Sequence, residues 1–112
     1  MIRAKVVLDE AGRVHAFDAA GHAETASRGN DIVCAAFTVL ARTAYRALEA
    51  LPGIEIEGAA PGPGSLSFVV NRPADDAGRA AGIADSLVTG MSDLAREYPG
   101  AVAFSIERDL EE

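Results

Sequence analysis

Residues 31–51, DIVCAAFTVLARTAYRALEAL, decide the fold, because apolar residues recur there at helical spacing. Arg42, Arg46 and Glu49 fall on the side opposite to the apolar positions, which are Val33, Phe37, Leu40, Ala44, Leu48 and Leu51. This pattern predicts an amphipathic helix of about five to six turns that begins after Asp31 as its N-cap. Proline and glycine at positions 52 and 53 end the helix, since proline breaks the hydrogen-bond ladder and glycine suits the C-terminal turn.

On both sides of this helix, apolar and polar residues alternate in the pattern of β-strands. The first two strands form a predicted hairpin around Gly12, which delivers the chain to Gly21 and His22. The third and fourth strands flank the turn sequence GAAPGPGS. The predicted strands are residues 2–8, 14–20, 54–57 and 66–71, and a last strand that contains Val102, Phe104 and Ile106.

A second helix is predicted to start at an N-cap, Asp75 or Asp76, and to run to about Tyr98, before Pro99 and Gly100. Its predicted buried stripe consists of Ile83, Leu87, Met91, Leu94 and Tyr98. Small residues on another side would let a neighbouring helix come close, or could equally reflect loose packing; these are Gly82, Ser86 and Gly90. The order ββαββαβ predicts a two-layer α/β sandwich with a mixed five-stranded sheet and two helices, and residues 1–112 are expected to form one domain. A second copy of the chain could complete an apolar helix face in a two-fold dimer.

Charge and composition limit the classes of partner that this domain is expected to bind. The formal net charge of −7 argues against nucleic acid or an anionic membrane and favours a basic protein. No apolar run is long enough for a membrane span, and the first ten residues do not resemble a secretory signal. A single cysteine excludes an internal disulfide, so we expect a free thiol in the reducing cytoplasm.

The start of the first helix carries the chemistry that the sequence suggests. With Asp31 as N-cap, Cys34 is the third helical residue, where the positive end of the helix dipole favours a thiolate. The preceding loop, residues 23–30 between Gly21 and the helix, is long enough to bring His22 over Cys34 as a proton acceptor and donor. Backbone N–H groups around Cys34 and Ala35 could stabilise an oxyanion. Thr38 extends a polar seam with Asp31 and Cys34 along one side of the helix.

Each of these residues also has a structural interpretation. Cysteine is commonly buried and inert, and a loop histidine is more often solvated than catalytic. Asp31 could serve only as a cap, and Thr38 could bond back to the carbonyl of Cys34. His15, in the middle of a strand, is interpreted as structural. No metal site is expected, because one cysteine and two histidines in different contexts fall short of three or four ligands.

The motif GHA, followed after a loop by GNDIVCAA, resembles the ribosomal-processing cysteine proteases, the Prp family. The residues that match are Gly21, His22, Gly29, Asp31, Ile32, Val33, Cys34, Ala35 and Ala36. The spacing from histidine to cysteine, the order of the elements and the length of the chain are also similar to the family. One departure is Thr38, which stands where the family usually has serine.

The resemblance implies a cysteine endopeptidase that needs no cofactor, with Cys34 as nucleophile and His22 as general base and acid. Asp31 and Thr38 would support them, and Gly21, Gly29 and Ala35 would belong to the oxyanion or substrate loop. The implied substrate is the N-terminal extension of large ribosomal subunit protein twenty-seven, an apolar and aromatic sequence that suits an apolar groove. The implied assembly is a cytoplasmic homodimer.

Two other hypotheses remain open from the sequence. The chain could be a non-catalytic dimeric module that binds a ribosomal or other basic protein, with Cys34 packed and inert. It could instead be a thiol redox sensor, although the chain contains no resolving cysteine.

Overall fold

The computed structural model describes residues 1–21, 28–60 and 65–109, and of residues 28–31 only the backbone. Its elements follow the predicted order ββαββαβ, which confirms the fold class. They are β1 (Ile2–Leu8), β2 (Val14–Ala20), α1 (Arg28–Glu49), β3 (Glu55–Ala59), β4 (Ser65–Arg72), α2 (Ala77–Glu97) and β5 (Val102–Arg108).

The sheet is mixed, as predicted, and its strand order is β3-β4-β2-β1-β5. β5 pairs with β1 in parallel, whereas the other three pairs are antiparallel. The buried side chains of the sheet and of both helices form one continuous core. The molecule is therefore a two-layer sandwich, and the same end of the sheet holds the start of β1, the end of β2 and the start of β4.

The alternation of side chains explains which face of the sheet is buried. In β1 every second residue, from Ile2 to Leu8, is buried, while Arg3 and Lys5 are exposed. In β2 both Val14 and Phe17 are buried although they are three residues apart. The register of the β1–β2 pair shifts at this point, because Val7 lies opposite Ala16 and Leu8 lies opposite Val14. His15 is the residue without an opposite partner in β1, and its side chain is exposed.

α1 begins earlier than predicted. The helix starts at Arg28, so Asp31 is its fourth residue and the predicted N-cap at Asp31 is wrong. An aspartate cap contributes only about 1 kcal/mol, and residues 28–30 contain no proline, so nothing in the sequence forces the helix to begin at Asp31. The predicted loop over residues 23–30 is correspondingly shorter, because its last three residues are helical.

α2 begins as predicted, with the Asp76 side chain accepting a hydrogen bond from the backbone N–H of Arg79. Its buried stripe differs from the prediction, because Tyr98 is exposed and Ile83 is only half-buried; the buried residues are Ala80, Ala84, Leu87, Met91 and Leu94. Small alanines face the core here because they let the helix lie close to the sheet. Neither of the two helices in the described part of the chain is long and apolar enough to cross a membrane.

α1 and α2 approach each other closely at one of the small residues noted in the sequence. A Cβ atom on Gly90 would lie 2.8 Å from Cδ2 of Leu40. Gly82, by contrast, has nothing within 4 Å of the same hypothetical atom. The close approach predicted for the small residues of α2 thus occurs at Gly90 and not at Gly82.

Candidate active site

A cleft of about 400 Å³ opens at the end of the sheet where β1 begins, β2 ends and β4 begins. α1 forms its other wall. The residues that line it are Ile2, Ala19, Gly21, Cys34, Phe37, Thr38, Arg42, Ala60, Ser65 and Leu66. Three of the candidate residues, Gly21, Cys34 and Thr38, therefore line one cleft.

The register of the sheet brings the strand residues of the cleft together. Ala19 lies opposite Leu66, and Ala20 lies opposite Ser65. On the other side of β2, Ala20 lies opposite Arg3. Because these pairings place the first residues of β4 beside the last residues of β2, the cleft has a floor made of two neighbouring strands.

Cys34 is half-buried, because it packs against the core on one side and lines the cleft on the other. Since α1 begins at Arg28, Cys34 is the seventh helical residue and not the third. The influence of the helix dipole falls off within the first turn, so it acts on Cys34 less than the sequence had suggested. Thr38, one turn further along, is exposed on the same wall.

Gly21 needs the conformational freedom of glycine. Its φ angle is +106°, and a Cβ atom at this position would lie 2.3 Å from the carbonyl oxygen of Met1. Only glycine at position 21, directly before His22, allows the chain to leave β2 along this path. His22 itself, with residues 23–27, lies outside the described residues, so its role as base stays a prediction.

The remaining candidates lie on the first turns of α1. The backbone of Gly29 and Asp31 is helical, and the Asp31 side chain lies outside the described part. Ala35 is exposed. In a helix that begins at Arg28, the N–H groups of residues 34 and 35 lie beyond the first four, which are the ones without an acceptor inside the helix. The position of the helix start therefore gives no support to an oxyanion role for Ala35.

The cleft is mainly apolar, and sequence reasoning did not identify most of its lining. Phe37 belongs both to the cleft and to a row of aromatic rings, since its ring centroid lies 6.4 Å from that of Phe17. Phe17 in turn stacks on Phe68 at 5.3 Å. The residues that the sequence did not single out are Ile2, Ala19, Ala60, Ser65 and Leu66. Strand pairing was the missing signal for the four that lie in β1, β2 and β4, because they meet only through their neighbours in the sheet, whereas Ala60 directly follows β3.

Arg42 is the one charged residue among those that line the described part of the cleft. It is exposed, and the ion pairs found among the described residues do not include it. The next turn of α1 carries Tyr45, whose ring packs against Phe68 at 5.4 Å and lies beside Gly58. Arg42 therefore lies toward the β3–β4 end of the cleft.

No group of three or more potential metal ligands occurs in residues 1–21, 28–60 and 65–109. In the described part of the cleft the polar side-chain groups are one thiol, two hydroxyl groups and one guanidinium, and the other lining residues have no polar side chain. A thiol at the edge of a cleft can attack a bound carbonyl group if a base removes its proton.

Both the sequence and the fold of this chain are similar to those of known proteins. The chain matches the model of the cysteine protease Prp family over residues 1–103. No curated protein matches the chain in sequence.

Three solved structures share the fold. A protein from Streptococcus mutans is 23% identical with a TM-score of 0.78, and the match covers 97% of this chain and 96% of that one. The essential ribosomal processing protease Prp from S. aureus, with a covalently linked product peptide, is 19% identical with a TM-score of 0.74. The same protease with a substrate peptide is 18% identical with a TM-score of 0.72. Both of these matches cover 96% of this chain and 100% of the other.

Proposed function

Because this chain belongs to the cysteine protease Prp family, we propose that it is an endopeptidase that removes the N-terminal extension of large ribosomal subunit protein twenty-seven. Cys34 is the nucleophile, and His22 is the general base and acid. The observation that carries the proposal is the position of the Cys34 residue, half-buried on the wall of a cleft of about 400 Å³. A core thiol would have no access to such a cleft.

The reaction needs only groups that the chain supplies and water. His22 takes the thiol proton, and the sulfur of Cys34 attacks the scissile carbonyl carbon. The carbon–nitrogen bond breaks, His22 gives the proton to the departing amine, and a thioester remains on Cys34. Water then attacks the thioester, its proton passes to His22, and the new carboxylate leaves as the thiol is restored.

The chain's geometry supports His22 in this role through its neighbour. Gly21 lines the same cleft as Cys34, and His22 follows Gly21 directly in the sequence. The apolar walls at Ile2, Phe37 and Leu66 suit an apolar and aromatic peptide. The S. aureus protease with the same fold was solved with a substrate peptide, which is consistent with a peptide-binding cleft in this fold.

Charge and thiol chemistry support the proposed partner and compartment. A net charge of −7 attracts a basic ribosomal protein. A single reduced thiol suits the cytoplasm, where the enzyme is proposed to act.

The enzyme is also proposed to be a homodimer. Val39 is 60% exposed and lines a groove of about 280 Å³ between α1 and α2, together with Leu40 and Ile83. A second copy would cover this apolar surface. Light scattering should give twice the monomer mass for the wild type and the monomer mass for Val39→Glu. Thr89→Glu, at an exposed position of α2 that does not line the groove, should stay dimeric. A monomeric wild type would contradict the proposal.

The test of the catalytic proposal is incubation with the extended ribosomal protein, followed by its mass. We expect the wild type to release the N-terminal peptide, and Cys34→Ala and His22→Ala to release none. His15→Ala is the matched control, because His15 is the other histidine and is exposed on β2 away from the cleft lining. Cleavage by Cys34→Ala would overturn the assignment. Circular dichroism of each variant should match the wild type.

A further inference from the structure

The cleft has a charged end that an apolar substrate alone does not explain. Among its described lining residues, Ile2, Ala19, Phe37, Ala60 and Leu66 are apolar and only Arg42 is charged. Arg42 lies on α1 two turns beyond Cys34, and Thr38 lies between them on the same wall. The guanidinium has no ion-pair partner within the described parts of the chain. Toward those parts of the chain its five N–H donors form no ion pair, and they can donate to a bound molecule.

The spacing along α1 sets the distance from the thiol. Eight residues at a helical rise of 1.5 Å place Arg42 about 12 Å along the helix from Cys34. An extended peptide advances about 3.3 Å per residue, so this distance corresponds to roughly three to four residues of substrate. The length of the arginine side chain widens that range to about three to five residues.

We propose that Arg42 is a specificity-determining residue that binds a carboxylate side chain of the substrate peptide, three to five residues from the bond that Cys34 attacks. This inference rests on the proposed peptidase function. Arginine matches a carboxylate with two parallel hydrogen bonds, which adds direction to the charge attraction. The same charge disfavours lysine or arginine at that position of the substrate. In a substrate that is otherwise basic, one acidic residue would then fix which peptide bond lies at Cys34.

Peptides with one variable residue test the proposal. Each peptide carries the same apolar residues around the scissile bond and a single Glu, Gln or Lys, which is moved along the chain on either side of that bond. We expect kcat/KM of the wild type to be about two- to fivefold higher for Glu than for Gln at one position in the stated range, the size expected for an exposed ion pair. This preference should fall in 1 M NaCl, where the Debye length is about 3 Å.

Variants at Arg42 and Arg46 separate a specific contact from general charge. Arg42→Gln should lose the preference for Glu, and Arg42→Glu should prefer Lys at the same position. Arg46→Gln is the matched control, since Arg46 is also exposed, lies one turn further along α1 and does not line the cleft. It should keep the preference. If Arg42→Gln kept the wild-type preference, or the wild type showed none, the proposal would be overturned.

A binding experiment distinguishes failure of the proposed peptidase function from failure of the Arg42 proposal. If the wild type cleaves none of the peptides, the proposed function fails, and binding of the same labelled peptides to Cys34→Ala is measured by fluorescence polarisation. The Arg42 site is supported if Cys34→Ala binds the Glu peptide more tightly than the Gln peptide and the double variant Cys34→Ala/Arg42→Gln does not. Equal binding of the Glu and Gln peptides, or no binding of either, overturns it.

Discussion

The backbone of Gly21 lies against the carbonyl oxygen of Met1, so closely that a Cβ atom on Gly21 would be 2.3 Å from that oxygen. This contact joins the start of β1 to the residue that precedes His22. The backbone at Gly21 therefore determines the direction in which the chain leaves the sheet beside the cleft.

Gly21→Ala should destabilise the protein by about 1–3 kcal/mol and abolish cleavage, because alanine meets both an unfavourable φ angle and a backbone oxygen. Gly12→Ala is the control, since Gly12 also has positive φ but nothing lies within 4 Å of the added carbon. Urea unfolding and peptide cleavage measure both effects. Equal stability and activity of the two variants would show that the contact with Met1 has no importance.

The reactivity of Cys34 distinguishes the three functional hypotheses. A dyad predicts that iodoacetamide labels the folded wild type rapidly near neutral pH, and that labelling slows in His22→Ala but not in His15→Ala. A redox sensor predicts the same fast rate in all three proteins, and an inert core thiol predicts labelling only after denaturation. Mass spectrometry of timed samples gives the rates. We expect the first result.

Two substitutions separate the role of the Thr38 hydroxyl group from that of the branched shape of the side chain. Thr38→Ser should keep full activity, whereas Thr38→Val, which keeps the branched shape without the hydroxyl, should lower kcat/KM about fivefold, as expected for one lost hydrogen bond of about 1 kcal/mol. Thr89→Val, at an exposed threonine of α2 that lines neither the cleft nor the groove between the helices, should not change kcat/KM. If Thr38→Val were as active as the wild type, the hydroxyl would have no part in the reaction.

The two glycines of α2 should respond differently to alanine. Gly82→Ala should stabilise the protein by about 0.4–1 kcal/mol, because the position is helical and open. Gly90→Ala should gain less or become destabilising, since its Cβ atom would lie 2.8 Å from Leu40. Thermal unfolding of the two variants measures the difference. An equal gain at both positions would contradict the close packing of α1 on α2 at Gly90.

Sequence periodicity was sufficient for the elements and their order, because each strand and helix has a clear pattern of its own. It was less reliable at the helix start and for the buried stripe of α2. The predicted cap at Asp31 was wrong because a cap residue contributes only about 1 kcal/mol, whereas most of the stability of a helix in a protein comes from tertiary packing. Tyr98 was predicted to be buried but is exposed, because it lies just past the last turn of α2 and caps that end.

By itself, the sequence determined the fold class, the single thiol and the motif around Cys34, since these depend on residue type and local spacing. Only the tertiary structure decided what surrounds Cys34. Leu66, Ser65 and Ile2 meet α1 at the cleft because strand pairing brings together residues that are far apart in the chain. Arg42 was assigned to the outer side of a helix, and its place in the cleft depends on how α1 lies across the sheet. That packing geometry is a property of the assembled core, which no local pattern specifies.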